Sequence, residues 1–416
     1  MRRVVITGIG SWNGFGAGVP RFLEALRAGA CAIGDMTLFS TEGFRTHRAA
    51  VAPTPDLTGV VPESLEPRLS RSDRMAVAAA REAWDHAGLG GSELAASRIG
   101  VMLGGTTGGM LEAEDLLRRR RSGELARMPL RGLVSMPVAS TADVLASVFG
   151  LSGVRSTVVT ACSSSANSLG LAADAIQDGR ADAMLAGGTD AHCKMTYAGF
   201  NALQALSPDV CRPFDRNRAG LSLGEGAAMF VLEEEEHARA RGADVLAEFG
   251  GYGMSADAHH MTAPDPEGRG AVLAMRRALA EARVDPRDVS YVNAHGTGTP
   301  QNDPIETRAI KTVFGDHASR LAVSSTKSQT GHCLGAAGAI EILATVLALR
   351  HQFLPPTVNL EDPDPECDLD YVPGAARDAA LSIAVSNSYG FGGNNTSVVL
   401  CAYAGAQARG TARGSN

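Results

Sequence analysis

Ser156-Thr157-Val158-Val159-Thr160-Ala161-Cys162-Ser163-Ser164-Ser165-Ala166-Asn167-Ser168-Leu169-Gly170 is the stretch around which the rest of the chain is organised. Ser156 to Thr160 is uncharged and rich in β-branched residues, the pattern of a buried strand, and Ala161 onward is small and then helix-forming to about Gly179. Cys162 is therefore expected at a strand-to-helix turn. Small neighbours let the backbone turn sharply, and a helix N-terminus presents unpaired N–H groups and partial positive charge to the thiol. That setting is expected to favour thiolate, the reactive form of cysteine. The same N–H groups could hold the oxyanion formed when it attacks a thioester. A small, inert cysteine packed at a corner is the ordinary alternative. What decides against it lies downstream.

Length and composition bound the possibilities. The 416 residues, 44% hydrophobic and 20% charged, suffice for two core-bearing units or one large pseudo-repeated domain. A net charge of −7 argues against generic nucleic-acid binding. The 7 cysteines are scattered with no C-x-x-C pair, which predicts a reducing, cytoplasmic setting and no zinc site. The apolar run Val4 to Ile6 is too short for a signal peptide, and no later stretch is expected to span a bilayer. Lysine occurs only at 194, 311 and 327, so a lysine inside a motif is unlikely to be filler.

In chain order, Arg3 to Gly10 reads as a strand leading from an edge into the core, and Val19 to Ala28 and Arg71 to Ala87 as helices. Ile99 to Leu103 is a strand running into Gly104-Gly105-Thr106-Thr107-Gly108-Gly109, which lacks the Gly-Lys-Ser/Thr of a nucleotide loop. Leu111 to Arg121 is a helix ending in four arginines, equally a solvated terminus or a docking patch for an acidic partner. Glu233 to Glu236 reads as the solvated start of a helix. A second series opens near Glu248, and its strand Ala322 to Ser325 followed by helix Gly335 to Arg350 mirrors Thr157 to Ile176. Two βαβαβαββ-like halves meeting at their loop ends would bring both turns to one central site. The expected division is residues 1–247 carrying the nucleophile, residues 248–403 carrying both candidate histidines, and a disordered tail, 404–416.

Three glycine-rich loops at strand ends carry further chemistry: Asn293-Ala294-His295-Gly296-Thr297-Gly298-Thr299-Pro300, Lys327-Ser328-Gln329-Thr330-Gly331-His332, and Ser388-Tyr389-Gly390-Phe391-Gly392-Gly393-Asn394-Asn395. Singly, each histidine reads equally as a packed core residue and Lys327 as a surface charge. Together with Cys162 they are what thioester condensation requires: a nucleophile for the acyl group, donors to polarise a second thioester, and backbone N–H groups for oxyanions.

With T-A-C-S-S, N-A-H-G-T-G-T-P, K-S-Q-T-G-H-C-L-G-A-A-G and G-F-G-G-N in this order, the chain resembles the elongating β-ketoacyl-acyl-carrier-protein synthases of type II fatty acid and polyketide systems, members of the thiolase superfamily. The resemblance covers nearly the whole chain. It implies an α/β, five-layered αβαβα thiolase fold of two pseudo-repeated halves, and decarboxylative Claisen condensation of a Cys-bound acyl chain with malonyl-acyl carrier protein, without metal or cofactor. Cys162 is then the nucleophile, and the N–H groups of Cys162 and Phe391 its oxyanion hole. His295 and His332 assist decarboxylation, with Lys327, paired to Glu341, orienting His332. Thr297 and Thr299 match pantetheine contacts, and Asp303 and Glu306 match loop-supporting acids. Phe391 is the gating aromatic, and Thr262 lies in a second gate.

His259-His260-Met261-Thr262 departs from the Tyr-His-Met-Thr of the fatty-acid enzymes, and Asn302 replaces a common glycine. Thr107, at the end of the acyl pocket, is smaller and more polar than their aliphatic residue, which points toward polyketide or polyene chains. A housekeeping fatty-acid elongating synthase is the alternative, as is a non-catalytic chain-length partner, although the latter would lack the nucleophile. A thiolase would carry a second cysteine in the loop that here reads GFGGNN. The implied partners are an acyl carrier protein, docked on Arg68, Arg71, Arg74 and Arg212, and a second subunit, either identical or a chain-length-factor homologue. No nucleic acid or membrane is implied.

Overall fold

The first strand is buried on both faces, and its glycine spacing lets a helix lie directly on its backbone. The computed structural model describes residues 2–127 and 130–403; the tail 404–416 lies outside them. Strand β1 (Val4–Asn13) is followed by helices α1 (Val19–Ala28) and α2 (Arg71–Ala87). A side-chain carbon at Gly8 would lie 2.1 Å from the Ala83 oxygen and one at Gly10 1.9 Å from that of Ala79, so α2 rests directly on the β1 backbone. Ser70 and Asp73 close the start of α2 as a reciprocal capping box, and Gly88 ends it in the left-handed conformation.

The first half continues with β2 (Ile99–Gly104), α3 (Met110–Arg121), α4 (Ser140–Phe149) and β3 (Arg155–Val158). After these come α5 (Ser164–Gln177), β4 (Ala183–Asp190), α6 (Lys194–Ala202) and β5 (Gly226–Glu234). The second half repeats the plan with β6 (Ala247–Ala256), α7 (Arg269–Ala282), β7 (Tyr291–Asn293) and α8 (Asn302–Phe314). It closes with β8 (Ala322–Ser324), α9 (Ala337–His351), β9 (Ile383–Gly390) and β10 (Asn394–Cys401).

Strand order is β8-β7-β9-β10-β6-β1-β5-β4-β2-β3. Outward from the centre, β1 pairs antiparallel with β5, β5 antiparallel with β4, β4 parallel with β2, and β2 parallel with β3. On the other side β6, β10, β9, β7 and β8 repeat this series of orientations. A short β1–β6 pairing, Val4 opposite Phe249, joins the two sets. β1 is therefore central rather than an approach from an edge.

Helices α5 and α9 share the central layer: a side-chain carbon at Gly338 would stand 2.8 Å from the Ala166 nitrogen. α9 is buried at every position from Ala337 to Leu349, as a helix with a sheet on either side must be. The run Leu334–His351 is long and apolar enough to cross a membrane, contrary to the sequence reading, but it forms this interior layer and is 89% buried. α2 and α4 cover the first sheet with one apolar cluster, and α7 and α8 cover the second with another, which completes the αβαβα order of the thiolase fold. Glu233, expected to be solvated, is fully buried and receives Thr7 Oγ1 at 2.6 Å and the Arg241 guanidinium.

Candidate active site

The turn between β3 and α5 holds Cys162 by local hydrogen bonds. Ala161 takes a positive φ of 52°. The N–H groups of Ser163 and Ser164 donate to the carbonyls of Thr160 and Ala161 at 3.3 and 3.1 Å, and the two hydroxyls donate to the same carbonyls at 2.9 and 2.6 Å. Asn167 donates to Thr160 Oγ1 at 2.9 Å and accepts from Thr396 Oγ1 at 2.6 Å, tying the turn to β10. Gly390 ends β9 against it, where a side-chain carbon would come within 3.1 Å of the Cys162 nitrogen.

The expectation of a thiolate is corrected here. Cys162 is 7% exposed, and burial, its largest influence, pushes the thiol up to about 11. The Lys327 ammonium and the Phe391 backbone N–H pull the other way without reversing it. The N–H groups of Ser163 and Ser164 are engaged by backbone carbonyls and so are not free for the sulfur.

His295 follows β7 and His332 lies between β8 and α9; their rings meet edge to face at 5.5 Å. Lys327, 1% exposed, donates to His295 Nδ1 at 3.2 Å, to His295 O at 2.6 Å, and to Glu341 Oε1. These contacts match the three donors of an ammonium. Lys327 therefore orients His295, whereas the family resemblance implied His332. His332 is held instead by the Leu334 N–H, which donates to its Nδ1 at 3.0 Å. With Nδ1 accepting in both rings, each neutral imidazole carries its proton on Nε2. Both are neutral: burial, then Lys327, lowers His332 to about 3 and holds His295 well below its ordinary value. Burial pushes the Glu341 carboxyl up to about 7, against the pull of Lys327.

The loop after β7 hangs on two buried acids. Glu306 accepts the N–H groups of His295 and Gly296, both at 2.8 Å, and Asp303 accepts those of Phe214 and Gly298 at 2.7 and 3.2 Å. Asn302 braces them, donating to both carboxylates at 3.2 Å. The hydroxyls of Thr297 and Thr299 pair at 2.9 Å.

Two cavities meet at Cys162. One, about 480 Å³, is lined by His295, His332, Thr297, Thr299 and Thr262. The other, about 230 Å³, is lined by Thr106, Thr107, Met110, Met195 and Leu334. Cys162, Phe391 and Phe200 border both, and Phe200 stacks on Phe391 at 5.5 Å. The thiol thus borders both a smaller cavity walled by Thr106 and Thr107 and a larger one bearing two N–H donors. Thr107 offers that chain cavity no free hydroxyl, because its Oγ1 donates toward Asp190 at 2.8 Å and the Ala191 carbonyl at 3.0 Å.

Of the proposed docking arginines, Arg68 is exposed, Arg74 pairs with Glu66 at 3.2 Å, and Arg212 pairs with Glu361 at 3.2 Å. Arg71 is not a surface residue. It is buried against Glu225 at 2.6 Å and also bonds the Ala52 carbonyl and Thr54, so it cannot meet a partner. Three participants went unnoticed in the sequence: Phe200, Leu334 and Asp190. Leu334 lay inside the quoted K-S-Q-T-G-H-C-L-G-A-A-G motif and Asp190 closes the glycine-containing run that forms β4, whereas Phe200 carried no local signal.

A central helical layer between two sheets, with a buried cysteine at a strand-to-helix turn and two Nε2–H donors beside it, places the chain among proteins of the thiolase fold. Residues 1–238 match the β-ketoacyl synthase N-terminal domain and residues 246–361 its C-terminal domain. The chain is 43% identical over 409 residues to 3-oxoacyl-[acyl-carrier-protein] synthase 2 of Coxiella burnetii, covering 96% of this chain and 98% of that one. A chain of the ishigamide ketosynthase/chain length factor superposes with a TM-score of 0.92 at 38% identity, over 97% of this chain and 99% of that one. A chain of the type II polyketide complex AntDE:AntF, an acyl carrier protein with its ketosynthase, gives 0.87 at 33%, over 97% and 100%. This chain belongs to the β-ketoacyl synthase family and is a condensing acyltransferase.

Proposed function

We propose that Cys162 carries the growing acyl chain and that His295 and His332 activate a malonyl thioester beside it. The observation that carries this reading is the pair of imidazoles with Nδ1 occupied and Nε2–H free to donate, lining the same cavity as the thiol. The acyl group passes from a carrier thioester to Sγ, and the carrier thiol leaves with the proton that Cys162 gives up. Malonyl thioester then loses carbon dioxide. The electron pair left behind forms an enolate whose oxygen accepts from both Nε2–H groups, and its carbon attacks the Cys162 thioester. The N–H groups of Cys162 and Phe391 receive the resulting oxyanion, whose collapse releases the lengthened 3-oxoacyl product and expels the Cys162 thiolate, which takes one proton from solvent to return to the thiol. Thr297, Thr299 and Thr262 border the path of the pantetheine arm.

We assign the chain to a type II polyketide or polyene system, with an acyl carrier protein as substrate carrier and a second subunit, identical or a chain-length-factor homologue, beside the acyl cavity. The likeness to the ishigamide and AntDE chains supports this, as does the exposure of Met195 on the lining of that cavity. Housekeeping fatty-acid elongation is the second reading, favoured by 43% identity to the Coxiella synthase and by the engaged Thr107 hydroxyl. Seven free cysteines support a cytoplasmic setting. The test is product length for wild type and Thr107→Phe, with the chain purified alone and with a cysteine-less homologue. Ordinary saturated products from a self-dimer, unchanged by the bulky residue, would leave the fatty-acid reading.

A further inference from the structure

Asp190 ends β4, is fully buried, and gathers five donors on one carboxylate. Oδ1 accepts the N–H groups of Thr106 and Thr107 at 2.9 and 2.7 Å and Thr107 Oγ1 at 2.8 Å. Oδ2 accepts Thr106 Oγ1 at 2.7 Å and the Gly335 N–H at 2.6 Å. The two threonines form a wall of the acyl cavity. Gly335 belongs to the other side of the chemistry: it follows Leu334, whose N–H sets the ring of His332. Leu334 itself holds a positive φ of 51°, a conformation that a non-glycine L-residue such as leucine keeps only when its surroundings impose it. There is no room for slack at this junction, since a side-chain carbon at Gly335 would fall 2.7 Å from Asp190 Oδ2 and 2.8 Å from Gly105.

The doubled fold makes the placement meaningful. β4 and β9 are equivalent strands, and each ends against the other half's reactive turn. Gly390 closes β9 beside Cys162, and Asp190 closes β4 beside the His332 loop.

We propose that Asp190 is a positioning residue shared by both half-reactions: one oxygen fixes the acyl-cavity wall and the other, through Gly335 and Leu334, fixes the imidazole of His332. The proposal rests on the roles assigned above to Cys162 and His332. Asp190→Asn separates the two branches. An amide NH₂ at the Oδ1 position would face two backbone N–H groups, whereas at Oδ2 it faces one, together with a hydroxyl that can turn and accept. The amide therefore settles with its NH₂ toward Gly335, which loses its acceptor while the threonine backbone keeps one.

The experiment measures the two half-reactions separately: Cys162 acylation by intact mass with a series of acyl pantetheine thioesters, and malonyl decarboxylation in a Cys162→Gln background. Asp190→Asn should lower decarboxylation by roughly 10–100-fold, the cost of misplacing a reacting group, and acylation by less than about threefold. Thr107→Val, a shape-conserving change, should do the reverse. It should shift relative acylation rates along the chain-length series by roughly 2–10-fold, the worth of one buried hydrogen bond, and leave decarboxylation within about twofold. Parallel loss of both half-reactions in either variant, or no change in either half-reaction with Thr107→Val, would overturn the proposal; the second variant keeps it exposed even if Asp190→Asn does not fold. Failure of wild-type Cys162 to take any acyl group would instead remove the ketosynthase site assignment on which the proposal stands.

Discussion

The two reactive turns occupy equivalent places in the duplicated frame, yet they are built by different means. β3 reaches α5 through Val159 to Ser163, closed on itself by the Ser163 and Ser164 hydroxyls. β8 reaches α9 through the longer segment Ser325 to Ala336, which contains the helical turn Lys327–Thr330 and then His332. Little in that second segment is self-sufficient. Lys327 is fixed by Glu341 on α9 and by His295 in another loop, and Gly335 by Asp190 in the other half. The repeated strand order supplies the scaffold, and the difference in turn length separates two constructions: the proposed nucleophile, held locally, faces the proposed donors, held at long range.

The comparison is broken most severely by removing the local side. Cys162→Ala should abolish condensation, since no other group at the junction of the two cavities can carry the acyl chain, while the fold tolerates a small-for-small change. Intact-mass detection of acyl-enzyme together with product analysis reads this; chain elongation by the alanine variant would mean another nucleophile.

Removing the long-range side should cost stability as well as rate. Lys327→Ala strands the Glu341 carboxylate beneath the site and unseats His295, and breaking such a buried pair costs about 3–5 kcal/mol. Urea unfolding should show that loss together with slower decarboxylation. A variant as stable as wild type would mean that Glu341 is neutral in the native protein, which burial already favours by raising it to about 7.

Cys162 was legible from local pattern because its turn is made of its own neighbours: a β-branched strand, small residues and a helix start. The histidine loops were legible because their glycine-rich motifs follow strands. What stayed hidden depends on partners distant in sequence. The residue that Lys327 orients, the burial of Arg71 by Glu225, and the stacking of Phe200 on Phe391 are all decided by tertiary packing. Arg71 looked like its neighbours Arg68 and Arg74 on composition, and nothing within the helix marks the one that points inward. The thiolate expectation failed for a related reason: the sequence displays a helix end but not the burial that outweighs it, nor the carbonyls that occupy its N–H groups.

That correction yields a test by pH. With the Cys162 thiol held up to about 11, the thiolate fraction, and so alkylation by iodoacetamide, should rise about tenfold per pH unit from 7 to 10 with no plateau. The histidines should behave oppositely. Their values are lowered, so the neutral donors persist until pH falls toward about 3 for His332, and the imidazoles should add no limb to decarboxylation between pH 5 and 8. An alkylation plateau below pH 8 would restore the helix end as the dominant influence. A limb near 6.5 in decarboxylation that survives Glu341→Gln would mean an imidazole that is exposed rather than enclosed, whereas one that vanishes in that variant belongs to the Glu341 carboxyl, raised to about 7.

The smallest effect separates Arg71 from the arginines on either side of it. Arg68 is exposed and Arg74 half-buried beside Glu66, so each can offer a carrier protein a surface charge, worth about 0.2–1 kcal/mol or roughly 1.4–5-fold in affinity per contact. Arg68→Glu with Arg74→Glu should raise KM for a carrier-bound acyl group by about that factor at each site, more at low salt than at high, and leave a small pantetheine thioester unaffected. Arg71→Glu should lower stability instead, by about 3–5 kcal/mol, because it sets a second carboxylate against Glu225 with no guanidinium to receive either. Its KM effect, if the protein folds, should be the same for carrier-bound and free substrates. If Arg71→Glu were as stable as wild type and selective for the carrier-bound substrate, the buried pair would be absent in solution and all three arginines would form one docking face. The opposite pattern, a stable Arg68 and Arg74 variant whose KM is unchanged for both substrates, would move the carrier to Arg212, whose backbone adjoins Gly298 in the loop that runs on from His295.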